Sequence, residues 1–209
     1  MNKIKNKKGK WIKLICGASN EDIVAIEDLC AIYTAAGVDY IDVAAEESIV
    51  NAAKKGIEWA QKICNNSPGL MISISDGNDI HFRKAKFDPL RCPSNCSRPC
   101  EKVCPTFAID ISGIKESKCY GCGRCINSCP LNLISEYEYN LSKYDLATTL
   151  QKTKPNAVEI HTSINRLDSF AKVVSILKSS ETKLDKISVS CGLNPVSYTH
   201  LTLPTSPKV

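Results

Sequence analysis

The sequence predicts an α/β fold, namely the front part of a (β/α)8-type barrel, about five βα units long, interrupted after its third strand by a cysteine-rich insertion. Two observations lead there. Short apolar runs alternate with amphipathic helical stretches on both sides of the chain's centre, which is the signature of a parallel sheet. Between them, Cys92 to Pro130 holds eight of the twelve cysteines and breaks the alternation. An open doubly wound sheet would alternate in the same way, but there is no glycine-rich dinucleotide turn to favour it.

Residues 1–10, with Lys3, Lys5, Lys7, Lys8 and Lys10, read as a flexible basic tail. The formal charge is only +5 over 209 residues, so no nucleic-acid partner is inferred. The apolar patch Trp11 to Cys16 is short and carries Lys13, so it fails as the core of a secretory signal. No stretch approaches the roughly 20 apolar residues of a transmembrane segment. The chain is therefore expected in the cytoplasm, where thiols stay reduced and clustered cysteines mean metal rather than disulfides.

Residues 11–87 are read as the first βα units. Trp11 to Cys16 forms a strand and Gly17 to Asn20 a turn, with Asn20 as helix N-cap and Glu21 and Asp22 at the positive helix start. Ile23, Ile26, Leu29, Cys30 and Tyr33 recur at helical spacing until Gly37. Val38 to Ala44 is the second strand. A helix follows from Glu46 to about Lys55, burying Ile49, Val50 and Ala53, and Gly56 is expected to interrupt it before Ile57 to Cys64 resumes. Leu70 to Ser75 is the third strand, closed by Asp76-Gly77-Asn78. Residues 88–140 form the insertion, and 141–195 continue the units. There Asp145 to about Thr153 is helical, Ala157 to His161 a strand, Asn165 to Lys178 a helix and Lys186 to Ser190 a fifth strand.

Val196 to Thr205 reads VSYTHLTLPT, which matches a translated transposon-based sequencing adapter. Residues 196–209 are expected to be such read-through and not native, with the natural protein continuing beyond Pro195. A genuine polar strand is the alternative.

The second half of the cysteine stretch, CYGCGRCINSCP, has the C-x2-C-x2-C-x3-C-P run of bacterial ferredoxins in full. Cys119, Cys122 and Cys125 can face one 4Fe-4S cluster, with Gly121 and Gly123 letting the backbone come close. Cys129, carried away by its spacing and Pro130, goes to the other cluster. Cys92, Cys96 and Cys100 are the matching triplet and Cys104-Pro105 the matching exit. The assignment is two 4Fe-4S clusters, one on Cys92, Cys96, Cys100 and Cys129, the other on Cys119, Cys122, Cys125 and Cys104. The insertion is thereby a two-cluster, bacterial-ferredoxin-like domain. The first triplet's wider spacing leaves the nuclearity of its cluster open. Zinc would use two separated pairs and has no need of the triplets. Radical S-adenosylmethionine chemistry needs a different spacing and an open iron site, whereas Cys129 supplies a fourth ligand.

Outside the cysteines, alternation puts Ala157, Glu159 and His161 on one face of their strand, and Tyr40, Asp42 and Ala44 share a face likewise. Asp42, Glu159 and His161 are candidate catalytic residues at the strand ends, against the alternative of polar groups satisfied by one another. Cys191-Gly192 has the same ambiguity. Cys16, Cys30 and Cys64 read as small core hydrophobes.

HFRKAKFDP from His81 to Pro89, leading into RCPSNCSRPCEKVCP from Arg91 to Pro105, resembles the LdpA family, the light-dependent period modulators of cyanobacteria. LICGASN from Leu14 to Asn20 and YIDVAA from Tyr40 to Ala45 share in the likeness, which runs from about Trp11 to Pro195. The resemblance implies an iron-sulfur protein that senses cellular redox state, follows photosynthetic electron flow and passes it to the circadian clock. It also implies a further C-terminal domain, redox carriers such as ferredoxin or the quinone pool as partners, and circadian signalling proteins as recipients. The reading is a redox sensor or electron carrier. The alternative is a ferredoxin-fused barrel oxidoreductase that delivers electrons to a flavin or substrate at the barrel mouth.

Overall fold

The structure, a computed structural model, describes residues 11–16, 22–79, 82–139 and 143–192. The basic tail, Asn20, Glu21, His81 and the stretch 196–209 lie outside the described residues. In chain order, β1 (Lys13–Ile15), α1 (Ile23–Ala36), β2 (Tyr40–Ala44), α2 (Glu47–Ala60) and β3 (Gly69–Ser75) come first. The cysteine segment then forms β4 (Arg83–Lys86), a 3-10 turn at Pro89–Arg91, α3 (Pro99–Lys102), β5 (Ile109–Asp110), β6 (Gly113–Ile114), α4 (Arg124–Ser128) and β7 (Ser135–Glu138). The strands and helices α5 (Lys143–Thr153), β8 (Ala157–Ser163), α6 (Leu167–Ser179) and β9 (Lys186–Gly192) follow.

Five strands pair in parallel in the order β1-β2-β3-β8-β9. Their outer face is apolar, and Ile41, Val43, Ile72, Ile74, Val158 and Ile160 are each at most 1% exposed. These side chains pack with Ile26, Ile49, Val50 and Leu150 in one core. Fully burying each such aliphatic contributes about 1.5–3 kcal/mol, so this layer holds the sheet against its helices. Cys16 and Cys30 belong to the same core, their sulfurs 3.9 Å apart.

Two local details differ from expectation. Asp22 is the N-cap of α1, its carboxylate accepting from the Val24 N–H at 3.1 Å, so the helix starts later than a cap at Asn20 would allow. α2 also runs straight through Gly56. A Cβ there would stand 2.1 Å from the Glu27 carbonyl oxygen of α1. The glycine serves close helix packing, not a break, and the cost of glycine in a helix is offset by that contact.

The barrel expectation is corrected by the sheet. Among the described residues β1 and β9 each have one partner, so the five strands form an open, curled sheet, and only α1, α2, α5 and α6 accompany it. Alternating strands and helices are common to open and closed parallel sheets, and closure depends on strands that bring β9 back to β1. The curl itself is real. Lys13 of β1 is ion-paired with Glu159 of β8, although three strand spacings would separate them by about 14 Å on a flat sheet.

The insertion is likewise described by its own topology and not as a two-cluster ferredoxin domain. β4 pairs with β7 and β5 with β6 in two separate antiparallel ribbons. Its small core of Ala85, Cys100, Ile109, Cys125 and Ile134 is distinct from the core under the sheet. Tyr120 of the insertion is buried in the core under the sheet, Cys122 packs against that core, and two ion pairs add to the junction. Arg124 of α4 pairs with the helix-capping Asp22 at 2.5 Å. Lys84 of β4 pairs with Glu46 at 3.1 Å, donates to the Glu116 carbonyl and lies over the Tyr139 ring. Burial pushes the Glu46 carboxyl up to about 7 despite the Lys84 ammonium beside it.

Candidate metal centre

Each Cys-Pro exit folds into the same turn. The Cys104 sulfur accepts from the Ala108 N–H at 3.2 Å, and the Cys129 sulfur from the Leu133 N–H at 3.4 Å. The Phe107 N–H meets the Cys104 carbonyl, and the Asn132 N–H meets the Cys129 carbonyl. Phe107 and Asn132 both have φ of 52°. Burial raises the Cys129 thiol, but the N–H groups of Leu133, Leu131, Ile134 and Asn132 outweigh it and hold that thiol below its ordinary value. Amides aimed at sulfur favour the thiolate, which is the form that binds metal.

The eight thiols fall into two neighbourhoods. Cys104, Cys119, Cys122 and Cys125 line a single hollow closed by Ala108, Ile109 and Ile114. Burial pushes the Cys125 thiol up to about 12, and Cys119, Cys122 and Cys104 add to it. On the other side, burial raises Cys92, with Cys96 and Cys129 contributing. Burial also raises Cys100, and Cys129 is again a neighbour. Thus the exit cysteine of each half sits among the triplet of the other. Thiols crowded this way disfavour one another's ionisation unless a cation neutralises them.

The donor set fits an iron-sulfur cluster. Four thiols line one hollow, and soft thiolates are the ligands that such clusters take. Tyr120 lines the same hollow, and burial together with the neighbouring Cys122 thiol raises its hydroxyl's pKa. Gly121 donates its backbone N–H to the Cys119 thiol and also has a packing role. A Cβ on it would stand 2.1 Å from the Arg83 carbonyl oxygen, so it makes room for β4. Gly123, with φ of 73°, opens α4.

Asp42, Glu159 and His161 are brought together on the concave face of the sheet, joined by a residue that sequence reasoning passed over. Lys13 bridges Asp42 at 2.9 Å and Glu159, while Ser73 donates to Asp42 at 2.6 Å. Burial lowers the Lys13 ammonium, but hydrogen bonds to Glu159 and Asp42 outweigh it and leave its pKa raised. Burial pushes Asp42 up. His161 lies 3.8 Å from Glu159 and 3.5 Å from Asp79. These groups satisfy one another. A lysine inside the apolar run Trp11 to Cys16 was the available signal. Cys191 is exposed at the end of β9, Cys16 and Cys30 are buried, and Cys64 is half-buried.

Residues 92–140 match the family described as the LdpA Fe-S cluster-binding domain, and residues 149–204 match the light dependent period A C-terminal domain. The light dependent period A protein of Synechococcus elongatus is 41% identical over 194 residues, covering 92% of this chain and 55% of that protein. The chain belongs to the light dependent period A family. Its family's cluster-binding domain takes in all eight cysteines of the two neighbourhoods, so this is an iron-sulfur protein. The chain spans about half the length of that curated relative. The family's C-terminal match runs to residue 204, into the stretch expected to be foreign. A second relative, the arsenate respiratory reductase iron-sulfur subunit ArrB of Shewanella sp. strain ANA-3, is 31% identical over 90 residues, 41% of this chain and 34% of that subunit. No solved structure matches the chain. Among the described residues no helix is long and apolar enough to cross a membrane.

Proposed function

We propose that this chain is a redox sensor carrying two 4Fe-4S clusters, and that it reports cellular redox state, as set by photosynthetic electron flow, to the circadian clock. The observation that supports it best is the crossed arrangement of the exits, with Cys104 beside Cys119, Cys122 and Cys125 and Cys129 beside Cys92 and Cys100. The clock connection rests on family membership and on the name of the Synechococcus elongatus relative, light dependent period A.

A bound cluster supplies a one-electron store. The chain's own residues set what that store senses. Ala108 and Leu133 donate N–H groups to the exit sulfurs, and such bonds are among the levers that tune potential over roughly −700 to +450 mV. Lys84 stands near Cys119 and also touches Glu46 and the Glu116 carbonyl, so a change of charge at the thiols is felt at the junction with the sheet layer. Electron delivery to a flavin or substrate at the concave face has less support, because Asp42, Glu159 and His161 are already engaged with Lys13, Ser73 and Asp79.

An anaerobic redox titration of the loaded full-length protein, followed by electron paramagnetic resonance, tests the proposal. Two reducible cluster signals with midpoints inside the range set by cellular carriers are expected. Signals that no physiological reductant or quinone changes would overturn it, and flavin that copurifies in stoichiometric amount would favour the oxidoreductase.

A further inference from the structure

We propose that the groove between α3 and α4, with Cys104 in its lining, is the docking site of a small acidic electron-carrier protein, and that Phe107 is its apolar anchor. The proposal rests on the reading of Cys104 as a cluster ligand.

Phe107 is the observation that asks for a partner. Its φ of 52° lies in the left-handed region, where a bulky side chain is a genuine outlier while Asn is several-fold enriched. The equivalent position in the second half of the cysteine segment is Asn132, with the same φ and the same turn hydrogen bond. The backbone therefore suits Asn, and Phe occupies it at a conformational cost. Among the described residues little covers the ring to offset this, since it is 77% exposed. Backbone strain that holds an aromatic ring in water is a feature to explain by what lies outside the chain.

The rest of the groove says what kind of surface that is. Lys102 and Arg124 line it together with Cys104, Phe107 and Ser128, and no carboxylate does. Arg124 shares its charge with Asp22. Glu101, the carboxylate of α3, pairs with Arg98 and lines the separate hollow that holds Cys92. Cationic groups around an aromatic anchor suit an acidic protein surface, with the charges steering encounter and the ring fixing the docked pose. A groove of this kind suits the small interfaces of redox encounters. An acidic carrier seated there brings its cofactor close to the Cys104 sulfur. One electron then passes from the reduced carrier to the cluster ligated by Cys104. The carrier is oxidised, the cluster is reduced, and no bond forms or breaks.

The test uses the full chain with its clusters loaded and a reduced plant-type 2Fe-2S ferredoxin as the acidic probe, mixed anaerobically by stopped flow. The second-order rate should fall as salt is raised. Lys102→Glu should lower it about tenfold or more at low salt. Phe107→Asn should also lower it several-fold, while iron content and thermal midpoint stay equal to wild type or rise, because Asn fits the backbone better. Reduction by dithionite should be unaffected in both variants. Fully loaded variants that accept electrons from the ferredoxin at the wild-type rate would overturn the proposal. So would Lys102-dependent binding to duplex DNA or anionic vesicles with no effect on the ferredoxin rate. Failure of the underlying reading is distinguishable, since Cys104→Ala would then leave the iron content whole.

Discussion

Cys129→Ala lowers the iron content from about eight to about four per chain, and the cluster that survives is the one assigned to Cys104, Cys119, Cys122 and Cys125. The expectation follows from where the Cys-Pro turn sends the sulfur. Cys129 is only four positions from Cys125 in sequence, but its thiol neighbours are Cys92 and Cys100. The Leu133 N–H points at it as the Ala108 N–H points at Cys104. Removing it leaves three thiolates and an open iron on that side, which makes the cluster labile. Iron analysis together with the remaining paramagnetic signal reads the outcome. Loss confined to the other cluster would show that the exits are not crossed. Because Cys100 and Cys125 share one small core, the variant should also unfold at lower temperature, as metal binding and folding are coupled in such sites.

Lys13→Ala should destabilise the sheet layer by about 3–5 kcal/mol. Asp42 and Glu159, 1% and 5% exposed, are held on the concave face by this ammonium. Without it, Ser73 still donates to Asp42, but two buried carboxylates face each other with no cation between them. The triple change Lys13→Met, Asp42→Asn and Glu159→Gln should recover most of the loss, since removing all the charges together avoids leaving any one unpaired. Urea unfolding, with the midpoint and slope recorded separately, measures both effects. A loss below about 1 kcal/mol for Lys13→Ala would mean that the pair is solvated in the way surface pairs are.

How far the sequence foretold these features depends on their range. The cysteine spacings were legible because a cluster needs its thiolates close along the chain, and both triplets and both Cys-Pro exits can be read directly. The five strands were legible for a similar reason, since each is a short apolar run with turn residues at its ends. Sheet closure was not. It depends on which edge strands meet, and the alternation of strands and helices is the same whether β1 and β9 pair or stay apart. Gly56 looked like a helix break because a missing side chain carries no label for the neighbour it admits, here the Glu27 carbonyl. Lys13 was passed over because its partners lie 29 and 146 residues away. Asp42 and Glu159 were singled out correctly as polar strand residues, but the ion pairing that satisfies them is a matter of register across three strands. Phe107 was not legible, because its significance lies in a backbone angle.

The most direct measurement is a count of iron, acid-labile sulfide and zinc in the full-length protein purified without oxygen. Two cubane clusters on eight cysteines require about eight irons and about eight sulfides per chain, with no zinc. About four irons, or zinc in their place, would contradict the two-cluster assignment.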